Sequence, residues 1–205
     1  MQSMARVEFY FDLVSPYSYL AHARVYDLCR ERGAELVLRP VLLGAVHRLS
    51  GNTAPVEVPA KARYQHRDIH RWAVRYGVPL RFPDPFPFRT VTTMRAAVFL
   101  EERGQMERFV REAFRLYWAE GGAPAGLEEA DERGPVAEAA RRAGLDPGEV
   151  LEGASSPPAR EALRRATSAA VERGVFGTPT FFVGEEMFWG NDRLGFVGAA
   201  LDRLL

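Results

Sequence analysis

Val7-Glu8-Phe9-Tyr10-Phe11 is apolar enough and short enough for one strand; the chain then breaks at Asp12-Leu13-Val14 and enters Ser15-Pro16-Tyr17-Ser18-Tyr19-Leu20. A strand apolar at nearly every position is buried on both faces, which puts it inside a sheet covered by helices. Asp12 and Ser15 are both N-cap residue types, and Pro16 suits the first helical position when Ser15 is the cap. Tyr19, Leu20, Ala23, Tyr26 and Leu28 continue a helix that stops near Gly33, and Glu35 to Val41 alternates and then turns apolar as a second strand. Strand, helix and strand of these lengths predict a βαβ unit with parallel pairing and a right-handed crossover.

The next stretch differs in character. Helical periods over Pro55 to Gly77, Thr92 to Trp118, Leu127 to Gly144 and Pro147 to Leu151 alternate with Gly- and Pro-rich joints. Pro79, Pro83, Pro85 and Pro87 keep one loop out of helix. Pro158 to Gly174 reads as a long helix with Ala162, Leu163, Ala166, Ala170 and Val171 near one side. Thr180 to Val183 and Met187 to Trp189 are short strands around Gly184-Glu185-Glu186, a hairpin signal, and Leu194 to Leu205 is a closing helix capped by Asn191 or Asp192. The order βαβ, helical block, αββα predicts an α/β, thioredoxin-like fold with a large all-helical insertion between its βαβ and ββα halves. On this reading residues 1–42 and 157–205 form the thioredoxin-like domain and 43–156 the helical insertion domain.

A chain of 205 residues is long enough to bury a sizeable core. Lys plus Arg and Asp plus Glu each total 27, so no net charge draws the chain to nucleic acid or an anionic membrane. No apolar run approaches a membrane span and no signal-peptide pattern precedes the first strand, so a cytoplasmic protein is expected. The single cysteine, Cys29, permits no internal disulfide. It lies about 21 Å along the helix from Ser15 at ~1.5 Å per residue, which makes it a core residue rather than a thiol partner of that position.

A serine at a helix start is ordinarily a cap and nothing more. Ser15, however, follows the first strand of an α/β sheet, where ligands collect beyond the strands' carboxyl ends. The helix start also offers unpaired N–H groups and a positive dipole end, suited to an anion or a thiolate. No histidine is adjacent as a base, which argues against a serine hydrolase. His66 and His70 have i,i+4 spacing, but no HExxH motif or third ligand accompanies them, so no metal site is assigned.

Four segments taken in order carry a resemblance. Phe11-Asp12-Leu13-Val14-Ser15-Pro16-Tyr17-Ser18-Tyr19-Leu20 is the first, and Gly51-Asn52-Thr53-Ala54-Pro55 with Pro59-Ala60-Lys61 the second. Gly174-Val175-Phe176-Gly177-Thr178-Pro179-Thr180 and Phe188-Trp189-Gly190-Asn191-Asp192-Arg193-Leu194 complete the set. Together they resemble the 2-hydroxychromene-2-carboxylate isomerases, kin of the kappa-class glutathione transferases within the DsbA-like group. The resemblance implies glutathione as cofactor and Ser15 as the catalytic residue that holds its sulfur. It also implies a cis peptide before Pro179, with the Thr178 main chain pairing to the cysteinyl backbone of glutathione. Asn52, Lys61, Asp192 and Arg193 match positions that contact glutathione: Lys61 suits a carboxylate, Asp192 the γ-glutamyl ammonium and Arg193 a second carboxylate.

Tyr64, Phe86, Phe88, Arg89 and Trp189 are candidates for the aromatic acid substrate, which needs an apolar slot and a cation. The implied reaction is glutathione-dependent isomerisation of 2-hydroxychromene-2-carboxylate, a small-molecule aromatic acid, to trans-o-hydroxybenzylidenepyruvate in aromatic catabolism. A homodimer is implied as well. Two alternatives stand beside it: a kappa-type transferase or other thiol-dependent enzyme on a different electrophile, and a non-catalytic thioredoxin-fold binding module. A DsbA-type oxidoreductase is excluded by the missing cysteine pair.

Overall fold

The structure is a computed structural model and describes residues 4–84, 86–121 and 132–204. β1 (Arg6–Phe11) pairs in parallel with β2 (Glu35–Pro40) across the helix α1 (Pro16–Glu31). It pairs antiparallel with β3 (Thr180–Val183), which pairs antiparallel with β4 (Glu186–Trp189), giving the order β2-β1-β3-β4. Among the described residues no strand lies between β2 and β3. That interval carries α2 (Leu43–Ser50), α3 (Pro59–Tyr76), α4 (Val91–Glu101), α5 (Met106–Phe114), α6 (Arg133–Arg142) and α7 (Pro147–Ser155). Then come α8 (Pro157–Glu172) and, after the β-hairpin, α9 (Leu194–Asp202). This is the expected thioredoxin-like α/β fold with a helical insertion.

The period of two along the strands decides which core each side chain joins. Val7, Phe9 and Phe11 of β1 and Phe181 and Val183 of β3 enter one large core, where the Phe9 and Phe181 rings stack with centroids 5.1 Å apart. Tyr10 and Phe182 point the other way, into a smaller cluster with Val46 of α2 and Ala170 of α8. Glu8, also on that face, is bridged by Arg39 and Arg173 at 2.8 and 2.6 Å, so its charge in the middle of the interior strand is paired. The large core does not stop at the sheet. Phe109, Phe114 and Trp118 join it from the inserted helices, with Phe114 5.8 Å from Phe11 and Trp118 stacked 6.5 Å from Tyr19.

Several boundaries differ from the sequence reading. The helix expected over Thr92 to Trp118 is broken after α4, where Gly104 takes a left-handed φ of 64° that a helix interior does not contain. Past α5 the chain widens into a π turn, Arg115–Ala119, which buries Leu116, Tyr117 and Trp118 together. The segment from Pro55 starts as a 3₁₀ turn, and α3 itself begins at Pro59. Neither Asn191 nor Asp192 caps α9: a 3₁₀ turn, Asn191–Arg193, leads into it, and the Asp192 carboxylate is paired with Arg193 instead. Residues 127–131 of one expected helix and Pro85 of the proline loop lie outside the described residues. No helix of the described residues is long and apolar enough to cross a membrane.

Candidate active site

Ser15 is the N-cap of α1: its Oγ accepts from the Ser18 N–H at 3.2 Å, and Pro16 follows at the first helical position. The same hydroxyl donates to the main-chain oxygen of Thr178 at 3.1 Å, an assignment fixed by the carbonyl being able only to accept. The Thr178-Pro179 bond is cis, as the resemblance implied. The Thr178 hydroxyl is buried and has no hydrogen-bond partner. A second cis bond, Phe86-Pro87, lies in the proline loop.

These residues open onto a cleft of about 670 Å³. Ser15, Asn52, Lys61, Phe86, Phe88, Arg89, Thr178 and Trp189 all line it, so eight of the residues singled out from sequence are brought to one place. Asn52 is already engaged there: its Nδ2 donates to the Phe176 oxygen at 2.9 Å and its Oδ1 accepts from Thr53 N–H at 2.8 Å. Lys61, in the first turn of α3, has no ion-pair partner among the described residues. Arg89 stands 3.8 Å from the buried Glu132 and is otherwise exposed. Phe88 stacks on Tyr117 at 4.8 Å and Phe86 lies edge-on to Trp118, which makes one wall aromatic. The Trp118 indole N–H donates to Leu13 O at 2.7 Å, pinning the loop that delivers Ser15.

Other expected residues stand apart. Tyr64 lines an adjoining depression with Tyr17, Pro55, Ala60, Lys61 and Gln65 rather than the cleft itself. Pro179, Asp192 and Arg193 are not among the cleft-lining residues, and the latter two pair with each other at 2.8 Å. The His66 and His70 rings lie 4.7 Å apart at a tilt of 42°, with His70 Nδ1 on the His66 carbonyl. Cys29 is buried, and burial pushes its thiol up to about 11.

Sequence reasoning missed four cleft residues. Asp12 was read only as a possible cap, yet it is a buried carboxyl in the cleft wall, and burial drives it up to about 6. Tyr17 lines the cleft with its hydroxyl donating to Asp68 at 2.9 Å. His47 and Arg48, on the last turn of α2, face the cleft as well, and Arg48 has no ion-pair partner among the described residues. No periodicity distinguishes such a cation from those of an ordinary solvated helix face. The spacing Asp12-x-x-Ser15 was the one signal available for the carboxyl.

A sheet of this order, a serine capping the helix after its first strand and a cis-proline loop opposite define a DsbA-like protein without the redox cysteines. The family model of the DSBA-like thioredoxin domain matches residues 6–202. Within that class the chain belongs to the 2-hydroxychromene-2-carboxylate isomerase family. It is 37% identical to a 2-hydroxychromene-2-carboxylate isomerase of Sphingobium xenophagum, covering 95% of this chain and 97% of that protein. A solved structure of a 2-hydroxychromene-2-carboxylate isomerase superposes with a TM-score of 0.84 at 34% identity, covering 97% of this chain and 95% of the other. Glutathione S-transferase kappa 1 of Rattus norvegicus is 30% identical over 92% of this chain and 87% of its own.

Proposed function

We propose that the protein catalyses the glutathione-dependent isomerisation of 2-hydroxychromene-2-carboxylate to trans-o-hydroxybenzylidenepyruvate. The observation that carries the reading is the convergence on one cleft of the Ser15 hydroxyl at a helix N-terminus, an aromatic wall and the cations Arg48, Lys61 and Arg89. Both ligands are carboxylates, and the cleft's cations match them. The buried Thr178 hydroxyl without a partner is a polar atom that a ligand would satisfy, so the residues present fit a bound thiol peptide.

Lys61 and Arg48 would hold its carboxylates and Ser15 its sulfur. When bound, glutathione supplies a thiolate that adds reversibly to the conjugated, ring-opened acid, so that a double bond becomes a rotatable single bond before the thiol is released. Ser15 contributes electrostatically: its proton, now on the neutral Thr178 carbonyl, gains more by turning to an anion. The positive end of the α1 dipole acts in the same direction, lowering the thiol pKa. Phe86, Phe88 and Trp189 provide the apolar slot for the bicyclic acid, and Arg89 faces its carboxylate. Asp192 and Arg193 belong to this reading only if their mutual pair opens to admit the γ-glutamyl group.

Ser15→Ala tests the reading. Removing a donor aimed at developing charge costs about 10²- to 10³-fold in turnover, and glutathione affinity measured by calorimetry changes less. Unchanged turnover would take Ser15 out of the chemistry. The kappa-class relative supports a second reading, a transferase acting on another electrophile. Product analysis separates the two, because the isomerase returns its thiol and the transferase leaves a conjugate. The third reading, a non-catalytic module, predicts no turnover of either kind. A cytoplasmic homodimer goes with the isomerase reading, and light scattering on the purified chain tests its oligomeric state.

A further inference from the structure

Three helix starts line the cleft: Ser15 and Pro16 at α1, Leu43 and Gly44 at α2, Thr90 and Val91 at α4. All three are tied to one residue at the end of β1. The Ser15 N–H donates to the main-chain oxygen of Asp12 at 3.1 Å. The Leu43 N–H donates to Asp12 Oδ2 at 2.7 Å, and the Thr90 hydroxyl and Val14 N–H to Oδ1 at 2.8 and 3.1 Å. At α2 the Asp12 carboxylate stands in for a local cap, while α1 keeps its own in the Ser15 Oγ. Leu42 caps α2 in position only and has no side-chain hydrogen bond. Thr90 stands at the N-cap of α4 with its hydroxyl turned to Asp12, while Glu132 accepts from the Thr92 and Thr93 N–H groups at 2.6 and 3.3 Å.

A purely structural junction would not need a charge here. Burial raises the Asp12 carboxyl to about 6 and the nearby Glu132 charge adds to the shift, so its three donors only partly offset desolvation. The charged or titratable groups that act on the Asp12 carboxyl are Glu132 and Tyr117, with Arg89 paired to Glu132 at the α4 side, while His47 and Arg48 at the end of α2 line the same cleft. We propose that Asp12 is a positioning residue: its two carboxylate oxygens hold the starts of α2 and α4 at a set distance from Ser15, so that the cleft's aromatic wall faces whatever thiol Ser15 holds. The inference takes the identity of the ligands from the proposed function and nothing else. An asparagine has the same shape but presents an N–H where one of the incoming donors must be accepted.

The test uses Asp12→Asn, Thr90→Val and Thr90→Ser, each checked for native circular dichroism. In the ligand-free proteins, amide hydrogen exchange is read at Ser15, Leu43 and Val91. Asp12→Asn is expected to raise exchange by about tenfold or more at Leu43, the N–H left facing the new amide, and Thr90→Val, which removes the hydroxyl bond to Oδ1, to raise it at the start of α4, with Thr90→Ser restoring protection. With ligands, glutathione affinity stays within about threefold while kcat/KM for the chromene acid falls about tenfold or more, and the acid limb expected of wild type near pH ~6 is absent in Asp12→Asn. Exchange unchanged at Leu43 in a folded Asp12→Asn protein overturns the proposal. So does a folded variant with wild-type kcat/KM across the pH range, or one whose glutathione affinity falls in step with kcat/KM. If wild type does not turn over the chromene acid, the functional reading fails and the exchange measurements still decide the positioning role.

Discussion

Burial makes His22 a source of acid sensitivity. It lies on α1 between Tyr26 and Phe114, with ring centroids 5.0 and 4.7 Å away, and its Nε2 has no partner. Burial first and the Arg111 charge second lower its pKa from 6.5 to about 3. The folded protein therefore binds fewer protons than the unfolded chain across that interval, and stability falls as pH drops from about 6.5 toward 3. Asp12 works in the opposite sense. Its raised pKa means that the stability it contributes is present below 3.8 and lost as pH rises through about 6. The His22 displacement is the larger, so acid destabilises. His22→Phe, which keeps a ring in the same space, is expected to lose on the order of 3 kcal/mol less stability than wild type between pH ~7 and pH ~4. Denaturant melts at the two pH values check this; parallel losses in both proteins would show that the ring is not the titrating group. None of this was legible in the sequence, where His22 is one polar letter on a helix.

Among elements, helix-to-helix and loop-to-strand contacts leave little slack, and two glycines show how tight they are. Gly153 of α7 faces the Phe99 ring of α4 with no room for a Cβ between them. Gly153→Ala is expected to destabilise by about 1–3 kcal/mol through overpacking, read as a lower midpoint in thermal unfolding. Gly177 sits nearer the site, where a Cβ would meet the Trp189 indole nitrogen at 2.8 Å. Trp189 is half exposed and can move, so Gly177→Ala is expected to shift the cleft wall and the KM of the aromatic acid with little change in the melt. A large loss of stability would show instead that the Gly177 turn cannot adjust. Periodicity located most helices because each has a buried face. It missed the breaks at Gly104 and the π turn because those depend on which neighbour an already apolar face meets.

For the whole molecule, Phe11, Leu13 and Tyr19 of the βαβ half are covered by Phe114 and Trp118 of the helical segment. The parts read from sequence as an insertion and a host thus bury the same core. Near-ultraviolet and far-ultraviolet melts should coincide in one transition, since neither part can lose its partner without exposing large aromatic surface. Two separated transitions would mean that residues 43–156 form a core of their own.

The sequence by itself determined the sheet order's ingredients, the helix start at Ser15 and the proline loop before β3, because caps, turns and alternation are local properties of a few adjacent residues. Its motifs also named most of the cleft. Only the tertiary structure decided that Asp12 joins three helix starts, that Arg48 faces the cleft, and that Asp192 and Arg193 hold each other outside it. The first two depend on which residues distant in the chain come within reach and the last on which way two adjacent side chains turn, and no local pattern records either.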